Sequence, residues 1–431
     1  MSKSSRHSRR VARVTTYAFW NAFGIIIPLF LDRLVVHPVL QRELGESVFG
    51  GLIWVLGVVN LVGFVGSAGF STLLMRDYAK YSPAVARLAF RCSLLLSAVI
   101  SLVLLATTAL SSSWIADQVV QENAWALYVP LVVVGMLRSI THILYTSLRI
   151  QRAFRTIFYM QALEALVVSS ILLIADRESL WLIGLIYVAS ALVGMPLAFW
   201  NIDDLRSNSK WWDLPTAKML MGSWFAGAML SIINNSQIYL SRLIVGVMAG
   251  AVQVTVLYPG IAISNIFTMP VTILAQLVLS LLGGTSRFVL SGKKATLYFA
   301  AVVLFSAVLS AFSWLAGEYV VEYLYPEIAS DTLEFYGWLA VANGFTCVMM
   351  MLRSVMLKYS PLWISTWLQG VVLAIQIVGL LVLVPSRQAA GAAQASCLSA
   401  IVSAVLFTVF YFRMIRIRSS TTEAVVPTLD D

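Results

Sequence analysis

The sequence predicts an all-α polytopic membrane protein, with about twelve transmembrane helices in two six-helix halves around a central cavity. Three observations predict this fold class. Hydrophobic residues make up 60% of the 431 residues and charged residues only 11%, whereas about a quarter of an average soluble chain is charged. Apolar runs of about 20 residues, long enough to cross a hydrocarbon core, recur along the chain. The connections between them are short, and none is long enough to hold a soluble domain.

Twelve apolar runs qualify as spans. They cover residues 14–36, 49–72, 88–110, 124–147, 157–175, 179–200, 217–241, 253–282, 295–316, 332–352, 362–384 and 389–412. The basic segment 1–13 precedes them, and the polar segment 419–431 is expected to be disordered. We therefore predict an N-terminal half over residues 14–205 and a C-terminal half over residues 206–418.

The basic residues predict the orientation of the spans. With the N-terminus in the cytoplasm, 23 of the 29 lysines and arginines fall in cytoplasmic segments, five fall in outer segments, and Arg138 lies within a span. Retention of basic residues on the cytoplasmic side is the usual topological signal of helical membrane proteins. Both termini are therefore predicted to be cytoplasmic. The same signal accounts for the net charge of +9 without a nucleic-acid partner.

Ionisable residues inside the fourth and fifth spans are the first site candidates. Arg138, His142, Tyr145 and Arg149 recur at spacings of four, three and four, which places them on one helix face. Glu164 lies at a similar depth in the fifth span if the two spans form a hairpin. An ion pair fastening the two helices is one interpretation; a cationic cavity wall, with Glu164 orienting Arg138 or exchanging a proton, is another. His142 is either a hydrogen-bonded structural residue or a proton carrier.

Further polar residues interrupt other spans. The candidates are Asn21, Asp32 and Arg33 at the first span, Asn234, Gln237 and Arg242 at the seventh, Gln276 in the eighth and Asn343 in the tenth. Each one alone is explained by an interhelical hydrogen bond. Together they indicate a polar interior between the helices.

Motifs for metal binding or catalysis are not found in the sequence. Cys92, Cys347 and Cys397 are far apart, lie in or beside apolar runs, and are expected to be core residues rather than metal ligands. The chain carries no phosphate-cradling glycine loop and no nucleophile elbow. We therefore expect a protein that is not an enzyme and that has no metal or other cofactor.

Two stretches of the sequence repeat each other. Residues 31–50 and 240–260 both begin with Leu-x-Arg-Leu and continue through a short connection with a glycine into the next apolar run. The second copy is four residues shorter before that glycine. The two copies end the first and seventh spans, so they predict an internal duplication. Repeated halves of transporters usually rock against each other around a central site.

Several motifs resemble a known family. WNAFGIIIPLF and RELGESVFGGLIWVLGVVNLVGFVGSAGFSTLLMRD, followed later by VEYLYPEIAS and VPSRQAAGAAQASCLSAIVSAVLF, resemble the polysaccharide flippases. These are the O-antigen and exopolysaccharide (Wzx-type) translocases of the multidrug/oligosaccharidyl-lipid/polysaccharide exporter superfamily. The resemblance covers most of residues 15–412. Relatives often have an aspartate before the arginine that ends the seventh span, whereas this chain has Ser241 there, so any role of that aspartate cannot be carried over.

The resemblance implies a MATE-like fold and a function in the bacterial inner membrane. Such proteins flip undecaprenyl-diphosphate-linked oligosaccharides for lipopolysaccharide or exopolysaccharide synthesis. The resemblance does not decide whether transport is coupled to a proton or sodium gradient. It also does not decide whether polymerase and chain-length proteins are partners. Because arginine binds phosphate oxygens through paired N–H groups, we expect Arg138, His142 and Arg149 to form a track for the diphosphate. Arg33 and Arg242 are candidates at the outer end.

Two other functions fit parts of the sequence. A related ion-coupled exporter of cations or drugs would use acidic groups in the bundle, and Glu164 and Asp32 are available for that role. A membrane polysaccharide polymerase or ligase would need catalytic groups in a sizeable outer loop. The longest outer loop carries Glu318, Glu322 and Glu327 but is too short to form a domain.

Overall fold

The computed structural model is helical throughout the residues that it describes. These residues are 16, 19–20, 22–24, 26–78, 81–120, 124–174, 179–206, 210–283 and 292–423. They contain no strand, as the predicted all-α class requires. Two compact units divide the chain, Met1–Tyr258 and Pro259–Asp431.

The helices follow one another with short connections. The first unit contains a π-helical turn, Leu31–Val36, and helices α1 His37–Asp77, α2 Pro83–Val120, α3 Ala124–Ile150, α4 Phe154–Ile174, α5 Leu180–Val193, α6 Met195–Asn201, α7 Asp203–Arg206 and α8 Leu214–Ala249. Helix α9, Ala251–Gly283, begins in the first unit and continues into the second. The second unit also contains α10 Gly292–Leu324, α11 Ala329–Tyr359 and α12 Leu362–Glu423.

The described helices agree with twelve membrane spans. Nine described segments are long and apolar enough to cross a membrane. Two of them are broken, Ala22–Ser67 at Gly45 and Trp363–Ile417 at Gln388, where the backbone leaves the helical region, so each comprises two spans. Helix α8, with 36 residues, is also longer than the ~20 that a span needs. The predicted polytopic membrane fold is confirmed.

Some helix ends differ from the predicted edges. Residues 37–48 were expected to connect the first two spans, but α1 begins at His37, with Pro38 in its first turn, and the chain turns only at Gly45. At the other end of the chain α12 continues to Glu423, past residue 418, and residues 424–431 lie outside the described part. Apolar runs mark the width of the hydrocarbon layer, whereas helices continue beyond it until a residue breaks them.

Helix α8 belongs to the first unit because it packs along α1. The indole Nε1 of Trp54 donates to the carbonyl oxygen of Leu243 at 3.1 Å. A Cβ added at Gly246 of α8 would overlap the Trp54 ring of α1. The compact units thus divide at residue 258, beyond the predicted division at 205. The two six-helix halves stay a prediction.

The sequence repeat has a structural counterpart in two glycines. Gly45 has φ 72° and ψ 170°, and Gly250 has φ 88° and ψ 173°. Both are in the left-handed region that side chains disfavour. They follow the repeated arginines Arg33 and Arg242 and hold the positions that the sequence alignment of the two copies gives them. The same backbone conformation therefore ends the corresponding helix of each copy, as an internal duplication predicts.

Each unit has its own apolar core. In the first unit the core contains Phe70, Phe90 and Cys92 and lies among α1 to α8. In the second it contains Cys347, Phe407 and residues of α9 to α12. The third cysteine, Cys397, packs in a smaller buried cluster of the same unit. All three thiols are free and buried, which confirms their prediction as core residues.

Replacing Gly45 with alanine should destabilise the protein, because its positive φ is unfavourable for a residue with a Cβ. We expect a loss of about 1–2 kcal/mol in the free energy of unfolding, measured by chemical unfolding in detergent micelles. Gly222→Ala in α8 is the matched control, because that glycine is helical and open space surrounds its Cβ position. The control should be neutral or slightly stabilising. Equal stability of both variants would contradict the assignment of the turn to Gly45.

Candidate functional site

A polar cavity of about 360 Å³ lies within the first unit. Its walls come from the segment before α1 and from helices α1, α3, α4, α5 and α8. The polar residues that line it are Asp32, Asn60, Ser67, Arg138, Thr141, His142, Tyr145, Gln161, Glu164, Ser169, Tyr187, Ser190 and Tyr239. Among them are four of the predicted ionisable site candidates, namely one arginine, one histidine and two carboxylates.

The spacing of polar residues along α3 and α4 explains why they converge. On α3, Arg138, His142 and Tyr145 all line the cavity, as the predicted shared face requires. On α4, Gln161 and Glu164 lie one turn apart and also line the cavity. The turn between the two helices contains Arg152 at φ 62°, and a hydrogen bond at 3.4 Å joins Tyr145, before that turn, to Glu164, after it. The predicted hairpin is therefore present, and both helices present their polar faces to one space.

Arg138 does not pair with Glu164 in this structure. The guanidinium Nη1 of Arg138 donates to Oδ1 of Asn60 on α1. Oε1 of Glu164 accepts a hydrogen bond from the Tyr145 hydroxyl at 3.4 Å. The two charges lie within electrostatic range of each other, but each has a neutral partner. The expected contact is replaced because α1, which the hairpin argument left out, supplies an amide to the arginine.

Asp32 connects the cavity to a buried cluster of rings. It lies in the π-helical turn, lines the cavity, and has a side chain that is 40% exposed. Its Oδ1 is 3.5 Å from Nε2 of His37, which is buried. His37 also contacts the hydroxyls of Tyr187, at 3.5 Å from Nε2, and Tyr258, through Nδ1. Three helices thus meet at one imidazole next to the carboxylate.

The other candidate arginines lie outside the lining of the cavity. Arg242 is buried, with its guanidinium carbon 5.2 Å from the ring centre of Tyr239 and 5.6 Å from that of Tyr258. Arg149 is half-buried in the last turn of α3. Arg33 is half-buried in the π-helical turn. Of the predicted track of Arg138, His142 and Arg149, the first two line the cavity and Arg149 does not. The diphosphate-binding roles of all these residues, and of Arg33 and Arg242, stay predictions.

The remaining candidates have separate positions. Gln237 is half-buried on α8 and does not line the cavity. Asn343 lies on α11 in the second unit, and its buried Nδ2 has no hydrogen-bond partner among the described residues. Asn21 and the side chains of Asn234 and Gln276 lie outside the described part of the chain. None of these five is brought to the cavity by the described structure.

Several cavity residues were missed by sequence reasoning. Asn60 is the partner of Arg138 and interrupts an apolar run of α1, a signal that was available. Gln161 lies one turn before Glu164 and shares its face. The tyrosines Tyr187 and Tyr239 gave no signal, because aromatic residues are common in spans. Within the described ranges, no group of three or more His, Cys, Asp or Glu side chains could hold a metal ion.

Solved structures with a similar fold are transporters. An inward-facing conformation of a multidrug resistance MATE family transporter of the MOP superfamily matches with a TM-score of 0.67 and 15% identity, over 94% of this chain and 100% of that one. An outward-facing conformation of such a transporter matches with a TM-score of 0.65 and 13% identity, over 96% and 97%. The chain has the MATE fold.

A third match concerns pocket chemistry. A MOP superfamily transporter from Pyrococcus furiosus, described as having a binding pocket of reverse polarity that suggests a different function, matches with a TM-score of 0.66 and 13% identity, over 94% of this chain and 95% of that one. Identities this low establish the fold alone. No protein-family model matches the sequence, and no curated protein matches it. The flippase resemblance therefore stays a prediction.

The bond between Asn60 and Arg138 should be measurable as a coupling energy. Asn60→Leu leaves a charged donor without its acceptor, so we expect a loss of about 1–3 kcal/mol in the free energy of unfolding. In an Arg138→Leu background the same change should cost much less, because no charge is left to satisfy. Chemical unfolding of the four proteins in detergent micelles gives this double-mutant cycle.

A matched pair elsewhere provides the control for this cycle. Nη1 of Arg387 donates to Oε1 of Gln394 at 2.8 Å on the exposed surface of α12. Its coupling should be below about 1 kcal/mol, because it joins two positions only seven residues apart in the chain, whereas Asn60 and Arg138 join two different helices across the cavity. A coupling at Asn60 and Arg138 no larger than this would show that the cavity contact does not hold the arginine.

Proposed function

We propose that the protein is a membrane transporter that works by alternating access and flips an undecaprenyl-diphosphate-linked oligosaccharide across the bacterial inner membrane. The observation that carries this proposal is the exposed guanidinium of Arg138 in a cavity between transmembrane helices. Charged groups within membrane spans raise the free energy of insertion and typically mark substrate or ion pathways. The MATE fold of the solved transporters supports the transport part of the proposal.

Arg138 has the geometry to bind a diphosphate. Asn60 takes one N–H of Nη1, and the guanidinium has five N–H donors in all. The remaining donors form a fork that matches two phosphate oxygens, which a lysine would not do. Asn60 therefore fixes the orientation of the group while leaving its binding edge open to the cavity.

The size and lining of the cavity suit part of such a substrate. Its volume of about 360 Å³ is near the lower end of small-molecule pockets, which span ~300–1,000 Å³. It would hold the diphosphate and the adjoining sugar rather than a whole repeat unit. Gln161, Tyr187 and Tyr239 offer amide and hydroxyl groups to the hydroxyls of that sugar. The polyprenyl tail would remain in the bilayer.

The cellular setting of this proposal comes from the sequence. Both termini are placed in the cytoplasm, and the synthesis of O-antigen or exopolysaccharide supplies the substrate. Partners would be polysaccharide polymerase and chain-length proteins. Energy would come from a proton or sodium gradient, with Asp32 and Glu164 as the coupling candidates because both carboxylates face the cavity.

A second function, export of small cations or drugs, is favoured by a specific observation. Two carboxylates, Asp32 and Glu164, line the cavity against one arginine, and neither forms an ion-pair contact with Arg138. A cationic substrate would be attracted to these groups. One solved transporter with this fold is described as having a binding pocket of reverse polarity that suggests a different function.

Replacing Arg138 should test the flippase proposal directly. In proteoliposomes containing a labelled polyprenyl-diphosphate oligosaccharide, Arg138→Ala should reduce the initial flipping rate about tenfold or more, because a charge-assisted pair to phosphate is lost. Arg138→Lys should be intermediate, since it keeps the charge without the fork. Arg387→Ala is the control, an exposed arginine that also bonds a side-chain amide. Wild-type flipping by Arg138→Ala at equal protein content would refute the proposal.

Replacing Glu164 should separate the two functions. Glu164→Gln removes a negative charge from the cavity, so it should preserve or strengthen equilibrium binding of the diphosphate headgroup and weaken binding of an organic cation. Binding is measured without an ion gradient, so that a role of Glu164 in coupling does not affect the result. If cation binding falls by about tenfold or more and the headgroup does not bind, the exporter function is correct.

A further inference from the structure

The connection between α6 and α8 is an exposed surface that the cavity does not explain. It carries three tryptophans at the ends of two membrane helices, Trp200 at 74% exposure, Trp211 at 44% and Trp212 at 45%. Two exposed cations, Arg206 and Lys210, lie between them in the chain. We call these five residues the tryptophan surface.

The side of this connection that packs against the helices is held by hydrogen bonds. Arg91 of α2 is completely buried. Its Nε and Nη2 donate to the carbonyl oxygen of Asp204 at 2.8 and 2.5 Å, and its Nη1 donates to that of Lys210 at 3.3 Å. Its guanidinium carbon also lies 4.9 Å from the ring centre of Trp211. One buried arginine thus holds two backbone carbonyls that lie between Trp200 and Trp211 in the chain.

Two carboxylates of this connection also accept hydrogen bonds from neighbouring groups. The hydroxyl of Tyr78 donates to Oδ2 of Asp204 at 2.6 Å, and burial together with this carboxylate raises the pKa of Tyr78 above its ordinary value. Oδ2 of Asp213 accepts from the backbone N–H and the hydroxyl of Thr216, at 3.1 and 2.8 Å, and so caps α8. These acids are therefore engaged by neighbouring groups. The described residues on either side of 207–209 are thus anchored by hydrogen bonds to the end of α1, to α2 and to α8, and anchored groups lose less entropy when a partner binds.

The exposed side of this connection carries residue types that are typical of a membrane interface. The guanidinium carbon of Arg206 lies 4.9 Å from the ring centre of Trp200, so cation and ring are presented together. Tryptophans at the ends of spans sit at the level of lipid headgroups, and cations beside them attract anionic lipids. Asp203 is exposed in the same connection, but Arg206 and Lys210 outnumber it. The exposed charge is positive, opposite to that of an anionic headgroup.

We propose that the tryptophan surface binds the headgroups of anionic phospholipids, and that this contact anchors the connection between α6 and α8 to one leaflet. The basic residues predict that this connection is cytoplasmic, and the cytoplasmic leaflet is the one rich in anionic lipids. The proposal does not depend on the transported substrate. It concerns a surface outside the cavity and stands whichever of the two transport functions is correct.

The test compares lipids on the purified full-length protein. In a neutral detergent, phosphatidylglycerol should be retained in native mass spectra at concentrations about tenfold lower than phosphatidylcholine. The double variant Arg206→Gln/Lys210→Gln should lose this preference. Lys293→Gln/Lys294→Gln removes two exposed lysines from the first turn of α10 and should keep it. The charge-preserving variant Arg206→Lys/Lys210→Arg should also keep it.

Each other outcome overturns the proposal. Equal retention of the two lipids by the wild type would leave no role for charge. A preference that persists in Arg206→Gln/Lys210→Gln, or that is lost equally in the Lys293 and Lys294 control, would place the contact elsewhere. Unfolding temperatures in lipid-free detergent identify a misfolded variant. In that case Lys210→Gln alone, which leaves the stack of Arg206 on Trp200 intact, must still weaken phosphatidylglycerol retention.

Discussion

The hydrogen bond between Arg138 and Asn60 is the contact on which the candidate site depends. A guanidinium inside a membrane bundle is unfavourable by at least ~2.5–3.5 kcal/mol on insertion scales, so it persists only where polar groups or water surround it. The amide from α1 provides one such group, and the cavity provides room for the rest. A polar space between apolar helices follows from the presence of this one charge.

The charges of the cavity are kept apart rather than neutralised by one another. Arg138 is hydrogen-bonded to an amide and Glu164 to a phenol, and Asp32 lies 3.5 Å from an imidazole nitrogen. A direct ion pair would lose most of its attraction to desolvation and would leave little for a ligand to bind. Neutral partners orient the charged groups while preserving their fields, so the cavity can attract a charged group of either sign. This property explains why an anionic lipid headgroup and an organic cation both remain reasonable substrates.

The sequence predicted those features that are local in the chain. Helix count, the hairpin of α3 and α4, and the shared face of Arg138, His142 and Tyr145 all follow from apolar runs and helical spacing. The repeat even located Gly45 and Gly250, because left-handed glycines end helices. Contacts between distant residues were not predictable. Asn60 meets Arg138 across 78 positions and His37 meets Tyr258 across 221, and no local pattern specifies such pairs without an account of helix packing.

The π-helical turn Leu31–Val36 sets the angular position of everything that follows it up to Gly45. Its widened ring, closed by the N–H of His37 bonding to the carbonyl of Asp32, contains one residue more than an α-helical turn. Each residue of an α-helix advances ~100° about the axis. Losing a single residue from this segment would therefore rotate His37 by roughly that angle, away from both tyrosines, while Asp32 stayed in place. The π-helical turn therefore sets the rotation between Asp32 and His37 about the helix axis. With this rotation Asp32 lines the cavity while His37 contacts the two buried tyrosine rings.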